Sequence, residues 1–498
     1  MDFPSGGTGN LAPAGSVGPV DVAVVGSGPN GLAAAVLMAR AGLSVHVYEA
    51  AEELGGGLRS TPLFDADVVH DRCSAVHPMA AASRFFREFD LAARGVELLQ
   101  PEAGYAQPLS EGPAGVAYRD LDTTCARLGR DGARWRWLME PLVRRSQGVV
   151  DLLLADQRRP PRDPLAAAAL AARLPVHFGP RAMFDGERAP ALLAGVAAHA
   201  VGRLPSLPGA AVGLLLGHLA HSSGWPLPRG GSRRIAEALV VDVVAHGGTL
   251  HPGVRIDDLR ELRDATVVLL DVGPTEFLRI AGRVLPERYR RRLAAYRYGP
   301  AAAKVDFLVS EPIPWADPEV GRAGTVHLGG TAAETFAAES AVAAGRRAER
   351  PFVLLADPAV VDGTRARPGR RPVWAYCHVP NGDPVDPGEL VQARIEQFAP
   401  GFGETVVARR STPAPELAAY NPNYVGGDIG AGAVTLRQTF FRPVPRLDPY
   451  PTPLRGVYLC SAATPPGAGV HGMAGYHAAA SALRREFGVR SLPPLGPR

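Results

Sequence analysis

A chain of 498 residues has room for about three domain-equivalents and can bury a large core. Its formal net charge of +4 is dispersed, with no dense run of basic residues, which argues against a nucleic-acid footprint. The four cysteines, Cys73, Cys125, Cys377 and Cys460, are scattered with no C-x-x-C, so neither a metal site nor a redox-active disulfide is indicated, and a reducing cytoplasm is the simplest setting.

The first 20 residues are rich in Gly, Pro and Ser and lack the basic start and apolar core of a signal peptide, which predicts a flexible leader. Asp21 to Ser60 is the most informative stretch. A short apolar run, Val22 to Val25, predicts a buried parallel strand. Gly26-Ser27-Gly28-Pro29-Asn30-Gly31 follows, a G-x-G-x-x-G, and then an Ala/Leu/Met-rich helix ending near Gly42. A second strand, Val45 to Tyr48, ends in Glu49. In such a strand–turn–helix–strand unit, Gly26 makes the tight turn, Gly28 lets backbone approach a pyrophosphate, and Gly31 allows close helix–strand packing. The helix N-terminus faces the phosphate charge and Glu49 can hold a ribose, which disfavours a 2′-phosphate and hence NADP.

Gly55-Gly56-Gly57 can bring backbone amides against a phosphate or ribityl chain. Phe64 to Pro78 is strand-like and carries His70 and His77, and Ala80 to Leu91 reads as a helix. Residues 80–220 carry helical patterns broken by proline clusters. Within them Leu204 to Ala220 is apolar, yet its prolines and glycines argue against a membrane span and leave a buried or membrane-touching segment. Ser232 is a candidate N-cap for a helix through Ala245, and Thr249 to Ile256 and Ala265 to Asp271 read as strands. Further strands are expected at Lys304 to Val309, Phe352 to Ala356, Pro372 to Val379 and Val457 to Cys460. Helices are expected at Glu389 to Phe398 and Met473 to Phe487.

Four stretches together resemble the FAD-dependent amine oxidase and phytoene desaturase superfamily, and more narrowly its phytoene dehydrogenase-like and pyridine nucleotide-disulphide oxidoreductase domain 2 members. They are Gly26–Gly31 with Glu49 and the glycine run; Pro228-x-Gly230-Gly231; the strand ending Asp271-Val272-Gly273-Pro274; and Tyr458-Leu459-Cys460 followed by Pro466-Gly467-Ala468-Gly469-Val470-His471-Gly472-Met473. The resemblance implies an α/β fold: a Rossmann-like FAD-binding domain assembled from 21–79, 222–285 and 445–489, and a partly helical α+β substrate domain from 80–221 and 286–444, with 490–498 as a tail. It implies FAD as cofactor, cradled by Gly26, Gly28, Gly31 and Glu49, with Gly56 and Arg59 along the phosphate and ribityl chain. Val254 would meet adenine through its backbone, and Gly472 and Met473 would lie near the flavin pyrimidine. Two departures are visible: Arg59 stands two residues beyond the place where many relatives have an arginine, and Cys460-Ser461-Ala462 replaces a Gly-Asp pair.

Two residues are candidates for catalysis. Of the 53 Lys and Arg residues only Lys304 is a lysine, and Lys304-Val305-Asp306-Phe307 with Pro314-Trp315 resembles the strand of flavin amine oxidases whose lysine holds a water at the flavin. His471 lies in the loop that the resemblance brings to the flavin. The absence of a second G-x-G-x-x-G in a strand–helix setting speaks against a separate NAD(P)H domain. The expected activity is hydride removal from an apolar small molecule, with isoprenoids and polyenes as candidates and oxygen or a quinone as electron acceptor. The alternatives are an amine oxidase using Lys304 and a non-catalytic, FAD-stabilised interaction protein. The expected setting is the cytoplasm, with peripheral membrane contact as a variant.

Overall fold

The protein is described by a computed structural model covering residues 20–497; the predicted leader, Val20 apart, lies outside the described residues. Two sheets organise the chain. The first is a parallel five-stranded sheet in the order Val457–Leu459, Ala265–Leu270, Val20–Val25, Val45–Tyr48, Thr249–His251. Its central strand is apolar at every buried position because both faces are covered. Val22 and Val24 pack with the helix Pro29–Arg40, while Ala23 and Val25 pack with Ile256, Leu270 and Phe277. Helix Pro29–Arg40 is itself sandwiched between Arg233–Ala245 and Met473–Glu486, which buries Leu32, Val36, Leu37 and Met38 completely. Each such leucine contributes about 1.5–3 kcal/mol. Gly42, at φ +82°, closes the helix as expected.

The second sheet has seven strands in the order Val406–Thr412, Ala301–Val309, Arg371–Val379, Val353–Ala356, Thr325–Leu328, Ala103–Gln107, Gly115–Tyr118. All neighbours are antiparallel except Thr325–Leu328 with Ala103–Gln107. One face, through Ala303, Val305 and Phe307, packs on Val391, Ile395 and Phe402. The other presents Ala302, Leu354, Trp374 and Tyr376 toward Ala75, Ala197 and Leu204, and so toward the interior between the two sheets.

Several elements differ from expectation. Residues 80–220 supply three strands, Leu98–Leu99, Ala103–Gln107 and Gly115–Tyr118, as well as helices. Ala103–Gln107 reads AGYAQ, with low strand propensity, and it is a strand because its small side chains admit bulky neighbours: a Cβ on Gly104 would lie 3.4 Å from the Trp225 indole. The expected helix from Ala80 to Leu91 is two pieces, Pro78–Ala82 and Arg84–Phe89, interrupted at Ser83, which is extended and caps the second through Phe86 N–H. Strand Thr249–His251 stops before Val254. Ser232 does not cap through its side chain; its hydroxyl donates to Ser74 O (2.7 Å) and lies 2.8 Å from His77 Nε2. The apolar run at 204–220 becomes a buried helix, Leu207–Ala220, N-capped by Ser206. Among the described residues no helix is long and apolar enough to cross a membrane.

Candidate functional site

A single cavity of about 690 Å³ runs from the C-terminal edge of the parallel sheet to the inner face of the second sheet. One end is the crevice beside the Gly26–Gly31 turn, where ligands of open parallel sheets bind. Gly26, Gly28, Glu49, Gly56, Arg59, Val254 and Asp271 all line it. The turn is as tight as its glycines allow. A Cβ on Gly31 would sit 2.1 Å from Gly26 O, and one on Gly56 would sit 3.0 Å from Gly28 Cα. Gly31 is therefore a packing residue, and its N–H points at the helix mouth.

That N–H donates to Asp271 Oδ2 at 2.8 Å, and the same oxygen stands 2.7 Å from where a Gly28 Cβ would be. Asp271 thus brings a carboxyl to the phosphate-binding turn from the neighbouring strand. Burial, with the Glu49 charge nearby and against the Gly31 hydrogen bond, pushes its pKa up to about 7. Glu49 accepts from Ser27 N–H (3.0 Å), Ser27 Oγ (2.7 Å) and Ala51 N–H (3.0 Å) and pairs with Arg59 at 3.2 Å. Arg59 in turn lies under the Tyr420 ring, 5.4 Å from its centroid. Val254 spends its N–H on Glu49 O at 2.8 Å and meets the crevice from a loop, not from a strand.

A segment from the other half of the chain covers this crevice. Asn423 Oδ1 accepts from Gly273 N–H (2.8 Å), Asn423 Nδ2 donates to Asp271 O (3.3 Å), and the Tyr424 hydroxyl is 3.4 Å from Cys73 Sγ. Asn421 to Tyr424, a polar turn, are therefore part of the site's wall. Behind it the buried pair Arg365–Asp71 (2.7 Å) ties the second half to the Ser60–Asp71 hairpin, where Asp71 also accepts from Ser232 N–H.

The far end of the cavity is apolar. Helix Leu207–Ala220 contributes Pro208, Val212, Leu215 and Leu216, and the second sheet contributes Leu354, Trp374 and Tyr376. The acids on the cavity wall, Glu49, Asp271 and Glu276, all stand at the dinucleotide end. Among the polar side chains on the cavity wall that the sequence did not single out is His199, which faces Trp225 edge-on at 5.4 Å.

The two candidate catalytic residues are not on this wall. Lys304 alternates onto the inner face of its strand, but its ammonium is held by Asp306 and the pair is buried, with His70 Nδ1 3.6 Å from Asp306. Burial draws the lysine below its ordinary value and the Asp306 charge opposes that. His471 is a satisfied loop residue: Nδ1 accepts from Met473 N–H (3.0 Å), Nε2 faces Gly467 O (3.2 Å), and its carbonyl accepts from Ser83 Oγ (2.8 Å). Burial takes it down to about 4, so it is neutral. Gly472 and Met473 start the last helix against Phe85 and Ala33 and likewise stand behind the wall, which is formed by Pro466 to Val470. The loop's turn after Val470 carries His471, Gly472 and Met473 one layer behind the lining, and Lys304 lies on the separate strand Ala301–Val309.

The residues present fit FAD. The helix mouth, Glu49 and the glycine run occupy one end of the cavity, and an apolar chamber opens from the other. Comparison with known proteins agrees. Residues 24–89 match the NAD(P)-binding Rossmann-like domain. Pyridine nucleotide-disulfide oxidoreductase domain-containing protein 2 of Mus musculus is 25% identical over 95% of this chain and 94% of its own length. A solved oxidoreductase from Methanosarcina mazei superposes with a TM-score of 0.58 at 16% identity, over 94% of this chain and 100% of that one. Putrescine oxidase bound to putrescine gives 0.56 at 18% identity, over 93% and 98%. The chain is similar along nearly all its length to the pyridine nucleotide-disulfide oxidoreductase domain 2 proteins and shares its fold with the Methanosarcina mazei oxidoreductase and putrescine oxidase.

Proposed function

We propose that the protein is an FAD-dependent oxidoreductase that takes a hydride from an apolar small molecule, with isoprenoids and polyenes as candidate substrates and oxygen or a quinone as acceptor. The observation that carries this reading is the continuity of one cavity from the Gly26–Gly31 turn to a lobe walled by Leu215, Leu216, Leu354 and Trp374. When bound, FAD would supply the hydride-accepting chemistry. The chain's own residues would bind and orient. Gly28 and Gly56 would let backbone approach the diphosphate, Glu49 would hold the adenosine ribose, and Arg59 would balance charge beside it. Tyr420 and Asn423 would exclude water from the crevice, and the lobe would select for apolar surface.

Amine oxidation with Lys304 at the flavin has less support. The lysine is committed to Asp306, and among the described residues no carboxylate lines the lobe to pair with a substrate ammonium. A non-catalytic role has no specific observation in its favour. We place the protein in the cytoplasm, drawing its substrate from solution or a membrane surface. The test is the visible spectrum of the purified protein, followed by anaerobic addition of apolar donors. A bound flavin bleached by a long-chain or isoprenoid donor supports the reading; a flavin that no such donor reduces, but amines do, overturns it.

A further inference from the structure

The proposed chemistry leaves one cation on the cavity wall without a task. Four arginines line the cavity: Arg59, Arg255, Arg279 and Arg442. Arg59 pairs with Glu49 at 3.2 Å, and Arg255 and Arg279 both pair with Glu276, at 3.2 and 2.9 Å. Among the described residues Arg442 has no carboxylate partner, although it is only 4% exposed. Its Nη1 donates to Ala462 O at 3.1 Å and its Nε to Gln438 O at 3.4 Å, while Nη2 makes no hydrogen bond. Asp428 acts on it only through space, with its own oxygens spent on the N–H groups of Gly299, Gly430 and Gly432. A guanidinium held out of water without a counter-ion is costly, and an anion brought in by a ligand would offset that cost. The helix that Arg442 ends, Leu436–Phe441, carries a second unsatisfied group. Thr439 lines the same cavity, and its Oγ1 is buried without a partner.

The place of Arg442 in the fold decides which anion. Ala462 follows the outermost strand of the parallel sheet, Val457–Leu459, and Ala265–Leu270 stands between that strand and the one that runs into the Gly26–Gly31 turn. Two strand spacings, about 10 Å, thus separate the strand that leads to Ala462 from the strand whose turn would take the diphosphate. The helix before Arg442 packs instead against Leu207–Ala220, which supplies Pro208, Val212, Leu215 and Leu216 to the apolar lobe.

We propose that Arg442, with the Thr439 hydroxyl, binds a carboxylate, and that the substrate is an acid whose long apolar body lies along Leu207–Ala220. The inference rests on the reading of the lobe as a substrate site and names the charged group that the substrate carries. A guanidinium offers a carboxylate paired, charge-assisted donors, which in a water-poor cavity outweigh a bond to a neutral hydroxyl. The same cation repels a substrate ammonium.

The test uses the flavin-loaded full chain and two probes matched in length, decanoate and decanol, titrated by calorimetry at neutral pH, where the first is ionised. The expected result is about tenfold tighter binding of decanoate, the worth of one hydrogen bond to a charged group. That comparison needs no variant. In Arg442→Gln the preference should vanish while decanol still binds, and Arg442→Lys should restore part of it. Equal binding of both probes to the wild type overturns the inference but keeps the apolar lobe; binding of neither overturns both. A preference that survives in Arg442→Gln also overturns it, by placing the anion elsewhere. So does an Arg442→Gln protein that purifies folded but without flavin, which would assign the guanidinium to the cofactor's diphosphate.

Discussion

The Gly31 N–H donates to Asp271 Oδ2 at 2.8 Å, so an acid from the neighbouring strand stands at the mouth of the helix that would receive a diphosphate. Two negative groups cannot share that mouth cheaply, and burial already raises Asp271 to about 7, well above the ordinary carboxylate range. Binding an anionic cofactor favours protonated Asp271. Affinity should therefore be highest below about pH 7 and fall above it, by at most about tenfold per pH unit for one linked proton. Flavin retention measured by dialysis across pH 5.5–9 (roughly the range that brackets this titration) checks the slope. Asp271→Asn should flatten it, and an equally steep profile in that variant would sink the idea.

The helix mouth also makes Gly31 irreplaceable. An alanine there would drive its Cβ to 2.1 Å from Gly26 O, inside any real contact, and backbone on both sides cannot yield as a flexible side chain would. Gly31→Ala is expected to purify without flavin and to unfold at a lower temperature than wild type. Gly42→Ala is the control, since nothing lies within 4 Å of a Cβ there and only its φ of +82° is strained. That should cost about 1 kcal/mol and leave flavin bound.

The parallel sheet was legible because each of its parts has a local signature: a turn that needs glycine, a β-branched run, an acid at the strand end. The second sheet was legible only in part. Strands Ala301–Val309 and Arg371–Val379 are long and apolar, whereas Ala103–Gln107 and the edge strand Val406–Thr412, with Arg409 and Arg410, carry no strand pattern of their own. They are strands because long-range pairing makes them so. The same holds for the site. Glu49 follows from spacing and Gly56 and Arg59 from the family resemblance, but His199 and Tyr420 reach the cavity from segments distant in sequence, and no local rule brings them there. Lys304 was conspicuous by composition, and composition does not report that Asp306 sits two residues on along the same face.

That pair yields its own prediction. Removing the lysine alone strands a buried carboxylate, so Lys304→Met should cost about 3–5 kcal/mol, read as a fall in melting temperature. Replacing both partners with apolar residues, Lys304→Met with Asp306→Leu, should recover most of that loss, with His70 left beside the replaced pair. If the lysine is structural, the double variant also keeps its rate of flavin reduction. A double variant that folds like wild type yet cannot reduce its flavin would restore Lys304 to the chemistry.

Histidine burial sets the acid limit of the fold. Burial lowers His77, His177, His218, His221, His471 and His477 to about 4 and His199 to about 3. Each is neutral when folded, and in the unfolded chain each takes up a proton near its ordinary 6.5. Between those values the unfolded state binds more protons, so stability falls as pH falls, by about 1.4 kcal/mol per pH unit for each histidine. Asp271 pulls the other way: its raised value makes the folded state the proton binder between about 4 and 7, but it is one group against seven. Together the histidines would exhaust a typical 5–15 kcal/mol within about one to two pH units. Melting temperature should hold near neutrality and drop steeply below about pH 6, before carboxylates titrate. A plateau extending to about pH 4.5 would mean that these rings reach water in the folded protein.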